Sequence, residues 1–141
     1  MIILDTNVVS ELMKSSPEPR VRAWTGLQRR DQLVTTATTV MELRAGVEKL
    51  LQSKRRRELD TALDWALEDL LGDRVLNFDS RAAFAAARWH AHCRRIGRPI
   101  QTSDAQIAGI AISRNIPLAT RDIHGFPEVG VKLINPWDAP A

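Results

Sequence analysis

The chain has 141 residues, of which 44% are hydrophobic and 26% are charged, a composition ordinary for one globular domain. Twenty basic against 17 acidic residues give a small positive net charge of +3, and the single cysteine, Cys93, excludes an internal disulfide and a cysteine-based zinc site. No apolar run approaches the roughly 20 residues that span a bilayer, and no secretion signal is visible at the N-terminus, so we expect a cytoplasmic protein with no membrane partner.

The first predicted strand is a short aliphatic run, Ile2-Ile3-Leu4, that stops at Asp5. Helix-compatible residues follow it over 6–14, and the Ser15-Ser16-Pro17 segment predicts the break. Side chains at the carboxyl end of a buried strand face the crevice in which open α/β sheets bind ligands. Asp5 is therefore the first candidate functional residue. A local alternative is that it closes an Asx turn or caps the helix.

The remaining elements alternate between helix and strand. A helix from Pro19 to about residue 30 precedes a strand over 32–36, and Thr38 or Thr39 is expected to open the next helix. Further helices are predicted around residues 59–71, 82–95 and 103–114, and further strands over 74–78, 117–120 and, as a short edge strand, 131–134. The order predicts a single α/β/α domain over residues 1–141 with a mainly parallel sheet.

Three further acids stand at element boundaries, and each has a structural alternative. Glu42 ends the Thr39-Val40-Met41-Glu42 segment, which matches a capping box, and Asp104 lies in a second such pattern that starts at Ser103. Asp122 follows a predicted strand, where a turn aspartate is common. No single acid is decisive on its own.

The four acids are more informative as a set. Strand ends place Asp5 and Asp122, and helix starts place Glu42 and Asp104, at the same edge of a parallel sheet. Carboxylates gathered there repel one another unless a cation neutralises them, and oxygen ligands suit Mg²⁺ or Mn²⁺ better than zinc. Such a site can support hydrolysis of a phosphodiester. The set therefore predicts a metal-dependent hydrolase.

With these segments in order, the sequence resembles the PIN-domain ribonucleases, and within them the VapC and FitB type of toxin from bacterial toxin–antitoxin pairs. The match extends over nearly the whole chain. The residues that carry it are Met1-Ile2-Ile3-Leu4-Asp5-Thr6-Asn7, Thr39-Val40-Met41-Glu42-Leu43-Arg44-Ala45-Gly46, Gly97-Arg98-Pro99-Ile100, Ser103-Asp104 with Gln106-Ile107-Ala108, Leu118-Ala119-Thr120-Arg121-Asp122 with Phe126, and Ile134-Asn135-Pro136-Trp137.

The resemblance implies a PIN-like α/β/α fold with a five-stranded parallel sheet. It maps the family's catalytic and metal-binding acids to Asp5, Glu42, Asp104 and Asp122, and supporting polar residues to Thr6 and Thr120. It further implies a Mg²⁺-dependent endoribonuclease, with Mn²⁺ as an alternative metal. The expected partners are an RNA substrate, a second copy of the chain in a homodimer, and an antitoxin with a DNA-binding domain that assembles with the toxin into a hetero-oligomer.

Basic residues bunch in several places, which fits a polyanionic partner such as RNA, although solvated helix faces explain each cluster equally well. The clusters are Arg20 with Arg22, Arg29-Arg30, Lys54-Arg55-Arg56-Arg57, and Arg94-Arg95 with Arg98. Two functional alternatives remain at this stage. One is a PIN-domain nuclease of RNA processing that has no antitoxin, and the other is a catalytically weak corepressor that acts while bound to an antitoxin.

Overall fold

The central element is a five-stranded sheet in which all neighbouring strands are parallel, in the order β3-β2-β1-β4-β5. This computed structural model describes residues 1–140. The strands are short: β1 (Ile2–Leu4), β2 (Leu33–Thr36), β3 (Val75–Leu76), β4 (Leu118–Ala119) and β5 (Leu133–Ile134). The predicted α/β fold with a five-stranded parallel sheet is confirmed.

Within residues 1–140, six α-helices connect and cover the strands. They are α1 (Thr6–Leu12), α2 (Pro19–Leu27), α3 (Ala37–Glu48), α4 (Lys54–Trp65), α5 (Ser80–Arg95) and α6 (Thr102–Arg114). The helix that contains α4 widens at its end into a π-helical segment, Ala66–Leu70. None of the helices in residues 1–140 is both long enough and apolar enough to span a membrane.

The sheet has a hydrophobic core on each of its faces, because successive side chains of a strand point to opposite faces of the sheet. Ile3 and Leu118 pack with α5 and α6 residues such as Trp89 and Ile107 on one face. On the other face, Leu4, Leu33 and Ala119 pack against α1, α2 and the π-helical segment; this second core includes Val8, Val9, Val21, Trp24, Ala66, Leu70 and Leu71. The sheet is therefore covered on both faces, as parallel sheets are.

Helices α5 and α6 pack unusually closely where Gly109 meets Ala82 and Ala86. A Cβ at position 109 would come within 2.7 Å of the Ala86 Cβ and collide with the Ala82 carbonyl oxygen. This contact explains the small side chain at Ala86 and the absence of one at Gly109. Cys93, also on α5, is a free thiol buried in the same core.

Three local sequence predictions were wrong. Helix α3 begins at Ala37 and its N-cap is Thr36, whose side chain accepts the Thr39 backbone N–H, so neither Thr38 nor Thr39 opens it. Helix α6 has Gln101 as its N-cap, with no side-chain hydrogen bond, so Ser103 does not cap it. The third strand spans two residues instead of the predicted five, because only these two pair with β2.

Candidate functional site

Asp5 lies where β1 passes directly into α1. Its backbone N–H donates to the Ala119 carbonyl at 2.9 Å, which joins the end of β1 to β4. Its Oδ1 accepts the Thr6 backbone N–H at 2.8 Å, so Asp5 is the N-cap of α1. The structural alternative for this residue is therefore real. The cap uses only Oδ1. The other carboxylate oxygen, Oδ2, accepts a hydrogen bond from the Thr120 hydroxyl at 2.7 Å.

Burial dominates the electrostatics of Asp5, whose residue surface is only 5% exposed. Burial raises the pKa of this carboxyl, the hydrogen bonds from Thr120 and Thr6 lower it, and the Glu42 and Asp122 carboxylates raise it again. A buried acid held among other acids carries charge at a cost unless a cation is present. Asp5 is thus the best defined point of the site.

Glu42 lies on α3, in its second turn, and its side chain is reached from α1. The Thr6 hydroxyl donates to Glu42 Oε1 at 2.8 Å. Because Thr36 caps α3, Glu42 does not occupy the capping-box position that the sequence allowed for it. The half-buried carboxylate is therefore available for a role other than capping.

Asp104 occupies the first turn of α6 and is half-buried. Burial raises its pKa to about 6, and the neighbouring carboxylates of Asp5, Glu42 and Asp122 raise it in the same direction. The favourable dipole at the start of α6 does not compensate for these effects. The structure therefore places the other three acids, which are up to 117 positions apart in the sequence, near enough to Asp104 for their charges to act on it.

Asp122 follows β4 and is exposed. Its Oδ1 accepts the Gly125 backbone N–H at 3.1 Å, so it also stabilises the short 3-10 turn Ile123–Gly125. A Cβ at position 125 would lie 2.7 Å from the Asp122 Cγ. Gly125 thus leaves the space in which the Asp122 carboxylate lies. The sequence analysis did not identify Gly125, although an aspartate three positions before a glycine is a usable signal for such a turn.

Thr120 and Asn7 connect the acids. The fully buried Thr120 hydroxyl donates to Asp5 and accepts the Asp122 backbone N–H at 3.1 Å. The Asn7 amide donates to Thr120 Oγ1 at 3.3 Å, and its carbonyl oxygen accepts the Arg121 backbone N–H at 3.1 Å. The structure therefore brings both threonines of the predicted set to the acids, Thr6 to Glu42 and Thr120 to Asp5, and it adds Asn7.

The four carboxylates have no cationic partner among residues 1–140: none of them forms a salt bridge. In the same part of the chain, no three His, Cys, Asp or Glu side chains stand close enough together to hold one metal ion as they are arranged. The site is thus an acidic cleft with mutual repulsion, without a preassembled cage. Its all-oxygen donor set is the chemistry that suits a hard divalent cation such as Mg²⁺.

The family model and similar curated relatives point to the same protein family. A model of the PIN domain matches residues 2–132. The VapC ribonuclease Y4jK of Sinorhizobium fredii is 38% identical over 138 residues, which cover 98% of this chain and 99% of the relative. Toxin FitB of Neisseria gonorrhoeae is 36% identical, with 97% of this chain and 99% of the relative covered.

Solved structures agree with these relatives. The crystal structure of FitAcB from Neisseria gonorrhoeae matches with a TM-score of 0.87 and 36% identity, over 98% of this chain and 99% of that one. The structure of VapBC-5 from Mycobacterium tuberculosis, described as a member of the VapBC family of toxin–antitoxin systems, matches with a TM-score of 0.68 and 26% identity, over 94% and 96% of the two chains.

Proposed function

The chain belongs to the PIN domain family, and from this premise we propose that it is a metal-dependent endoribonuclease that acts as the toxin of a toxin–antitoxin pair. Relatives named as a ribonuclease and as a toxin match it over almost its whole length. The observation that carries the proposal is geometric: the Thr120 hydroxyl joins Asp5 to the Asp122 backbone, Thr6 holds Glu42, and Asp104 lies near enough to all three for their charges to raise its pKa. Four acids held together without a salt bridge form a site that a divalent cation would stabilise.

Asp5, Glu42, Asp104 and Asp122 would hold the cation, Mg²⁺ or Mn²⁺. When bound, such a cation neutralises charge that develops on the phosphate during hydrolysis of the phosphodiester and activates the attacking water. The chain itself supplies the orientation: Thr120 holds Asp5 by its Oδ2, and Thr6 holds Glu42 by its Oε1. Hydrogen bonds of this kind fix the direction in which a carboxylate presents its free oxygen.

The activity test is cleavage of RNA by the purified protein in Mg²⁺ or Mn²⁺, with and without EDTA. We expect cleavage only when the metal is present. Asp104→Asn and Glu42→Gln should each remove most of the activity and leave the fold intact, since a metal site needs its full ligand set. The matched control is Asp31→Asn, which neutralises an exposed carboxylate that pairs only with Arg29 near it in sequence.

If Asp104→Asn retained wild-type activity, Asp104 would have no role in the reaction. Cleavage that continues unchanged in excess EDTA would overturn the metal-dependent mechanism. Either result must be obtained with protein whose thermal unfolding shows a folded state, because a variant that does not fold says nothing about the reaction.

The proposed partners are RNA, an antitoxin with a DNA-binding domain and a second copy of the chain, in the cytoplasm. VapBC-5, which shares this fold, belongs to a toxin–antitoxin family. Exposed apolar side chains are compatible with protein partners; they include Leu27, Met41, Leu51, Trp65, Phe78 and Phe84. Trp89 does not belong to this exposed set. It is buried, its ring stacks on Phe126, and its indole N–H donates to the Pro127 carbonyl.

Coexpression with any small reading frame found next to the gene tests the antitoxin partner. We expect the two products to copurify and the RNA cleavage to disappear in the complex. An RNA-processing nuclease without an antitoxin would remain active and uncomplexed in the same experiment.

A further inference from the structure

Three threonine hydroxyls form a continuous chain that ends on the Glu42 carboxylate. Thr36 Oγ1 lies 3.2 Å from Thr39 Oγ1, which lies 3.0 Å from Thr6 Oγ1. The Thr6 hydroxyl then donates to Glu42 Oε1 at 2.8 Å. The chain starts from the Thr39 backbone N–H, which donates to Thr36 Oγ1 at 3.1 Å.

The donors and acceptors of this chain can be arranged in only one direction. An ionised Glu42 can only accept, so the single hydroxyl proton of Thr6 is committed to it. Thr6 must therefore accept from Thr39, and Thr39 in turn must accept from Thr36. Each hydroxyl donates once and accepts once. A chain ordered in this way polarises its members and strengthens the last bond, which is the one to Glu42.

The first two hydroxyls of the chain are shielded from water. Thr36 and Thr39 are both 0% exposed, whereas Thr6 and Glu42 are half-buried at the edge of the cleft. Water therefore does not compete for the hydrogen bond between Thr36 and Thr39. The chain also links three elements, the end of β2, the first turn of α3 and the start of α1. It fixes the Thr6 side chain from the protein interior.

We propose that Thr39 is a positioning residue for Glu42, acting through Thr6, and that Thr36 completes the chain. The inference rests on the proposed function, because it assumes that the orientation of Glu42 matters for RNA hydrolysis. Thr38, the neighbour of Thr39 on α3, is excluded from the role because its hydroxyl donates to Gln106 Oε1 at 3.0 Å.

The test compares Thr39→Val, which removes the hydroxyl and keeps the shape, with Thr39→Ser, which keeps the hydroxyl and loses a methyl group. We expect kcat to fall about 10-fold in Thr39→Val with KM nearly unchanged, the lower end of the effect of residues that support metal ligands. Thr39→Ser should stay within about 2-fold of wild type. Thr39→Ala makes the same comparison if Thr39→Val does not fold.

The matched control is Thr35→Val on the same strand as Thr36. Thr35 is also 0% exposed, but its hydroxyl donates to the Leu4 carbonyl at 2.8 Å and does not reach Glu42. It should lose stability without the drop in kcat. Equal losses of kcat in Thr35→Val and Thr39→Val, or in Thr39→Ser and Thr39→Val, would overturn the positioning role.

A double-mutant cycle in urea unfolding provides a readout that does not depend on activity. If the chain couples Thr39 to Glu42, the effects of Thr39→Val and Glu42→Gln on the unfolding midpoint should not add, whereas those of Thr35→Val and Glu42→Gln should add. Additive effects in both cycles would refute the chain. If the wild type cleaves no RNA but the coupling is present, the proposed function fails and the hydroxyl chain stands.

Discussion

Neutralising Asp104 should stabilise the metal-free protein, although it should abolish the proposed activity. The pKa of this carboxyl rises from its ordinary value of 3.8 to about 6 on folding, first because of burial and then because of Asp5, Glu42 and Asp122. At about 1.4 kcal/mol per pKa unit the shift corresponds to about 3 kcal/mol, but Asp104 is only half-buried and solvent screens its charge, so we take the cost of the ionised form as about 1.5 kcal/mol. Asp104→Asn removes this cost but leaves a half-buried amide, so we expect a net gain of about 1 kcal/mol.

The pH dependence follows from the sign of the shift. The folded state binds the proton of Asp104 more tightly than the unfolded state does, so the carboxyl imposes no cost below about pH 3.8, and the cost grows until pH rises through about 6. The stability difference between Asp104→Asn and wild type should therefore be largest above pH 7. It should shrink steadily as the pH falls toward 4.

The assay is thermal unfolding in EDTA over this pH range. For a chain of this size, about 1 kcal/mol corresponds to an increase in Tm of about 3 °C at pH 7.5. Asp31→Asn, which changes a solvent-exposed carboxylate, should leave Tm within about 1 °C. A Tm for Asp104→Asn that is lower than wild type, or a difference that does not change with pH, would refute the electrostatic account of the site.

Four further predictions follow from the same geometry. Millimolar Mg²⁺ or Mn²⁺ should raise the wild-type Tm through linkage, and Asp5→Asn should weaken that response; no effect of either metal on Tm would contradict the metal site. Glu42→Gln should lose activity without the loss of stability that follows removal of a helix cap, because Glu42 does not cap α3, and an active variant would take it out of the site. Gly125→Ala should reduce activity by displacing the Asp122 carboxylate, whereas Gly46→Ala, where a Cβ would meet no atom within 4 Å, is its control. Light scattering at tens of micromolar should give a dimer, and a mass near 15.8 kDa would refute it.

The order of the elements could be predicted from the sequence because it depends on local patterns. The aliphatic run before Asp5, the helical spacing of α5 and α6 and the breaks at proline and glycine are all readable within about 15 residues. The same holds for the position of the acids at the ends of strands and the starts of helices. That placement alone predicted one acidic edge of a parallel sheet.

Capping could not be predicted with the same success. Four threonines lie around the start of α3, two before it and two in its first turn, and the sequence does not tell which of them ends the strand and which begins the helix. Pairing of Thr36 with Leu76 of β3 keeps Thr36 in the sheet, so the helix begins directly after it. The capping-box interpretation of Glu42 was wrong for this reason, and a strand pairing 40 residues away decided it.

The sequence by itself determined the class of the fold, the sheet edge at which the acids gather and the chemistry of their side chains. Only the tertiary structure decided which groups touch. Thr120 meets Asp5 across 115 positions of the chain, and Thr39 meets Thr6 across 33. These contacts depend on the order in which β1, β2 and β4 pair and on how closely α1 approaches α3. Such choices are made by packing of the whole core, and no local pattern records them.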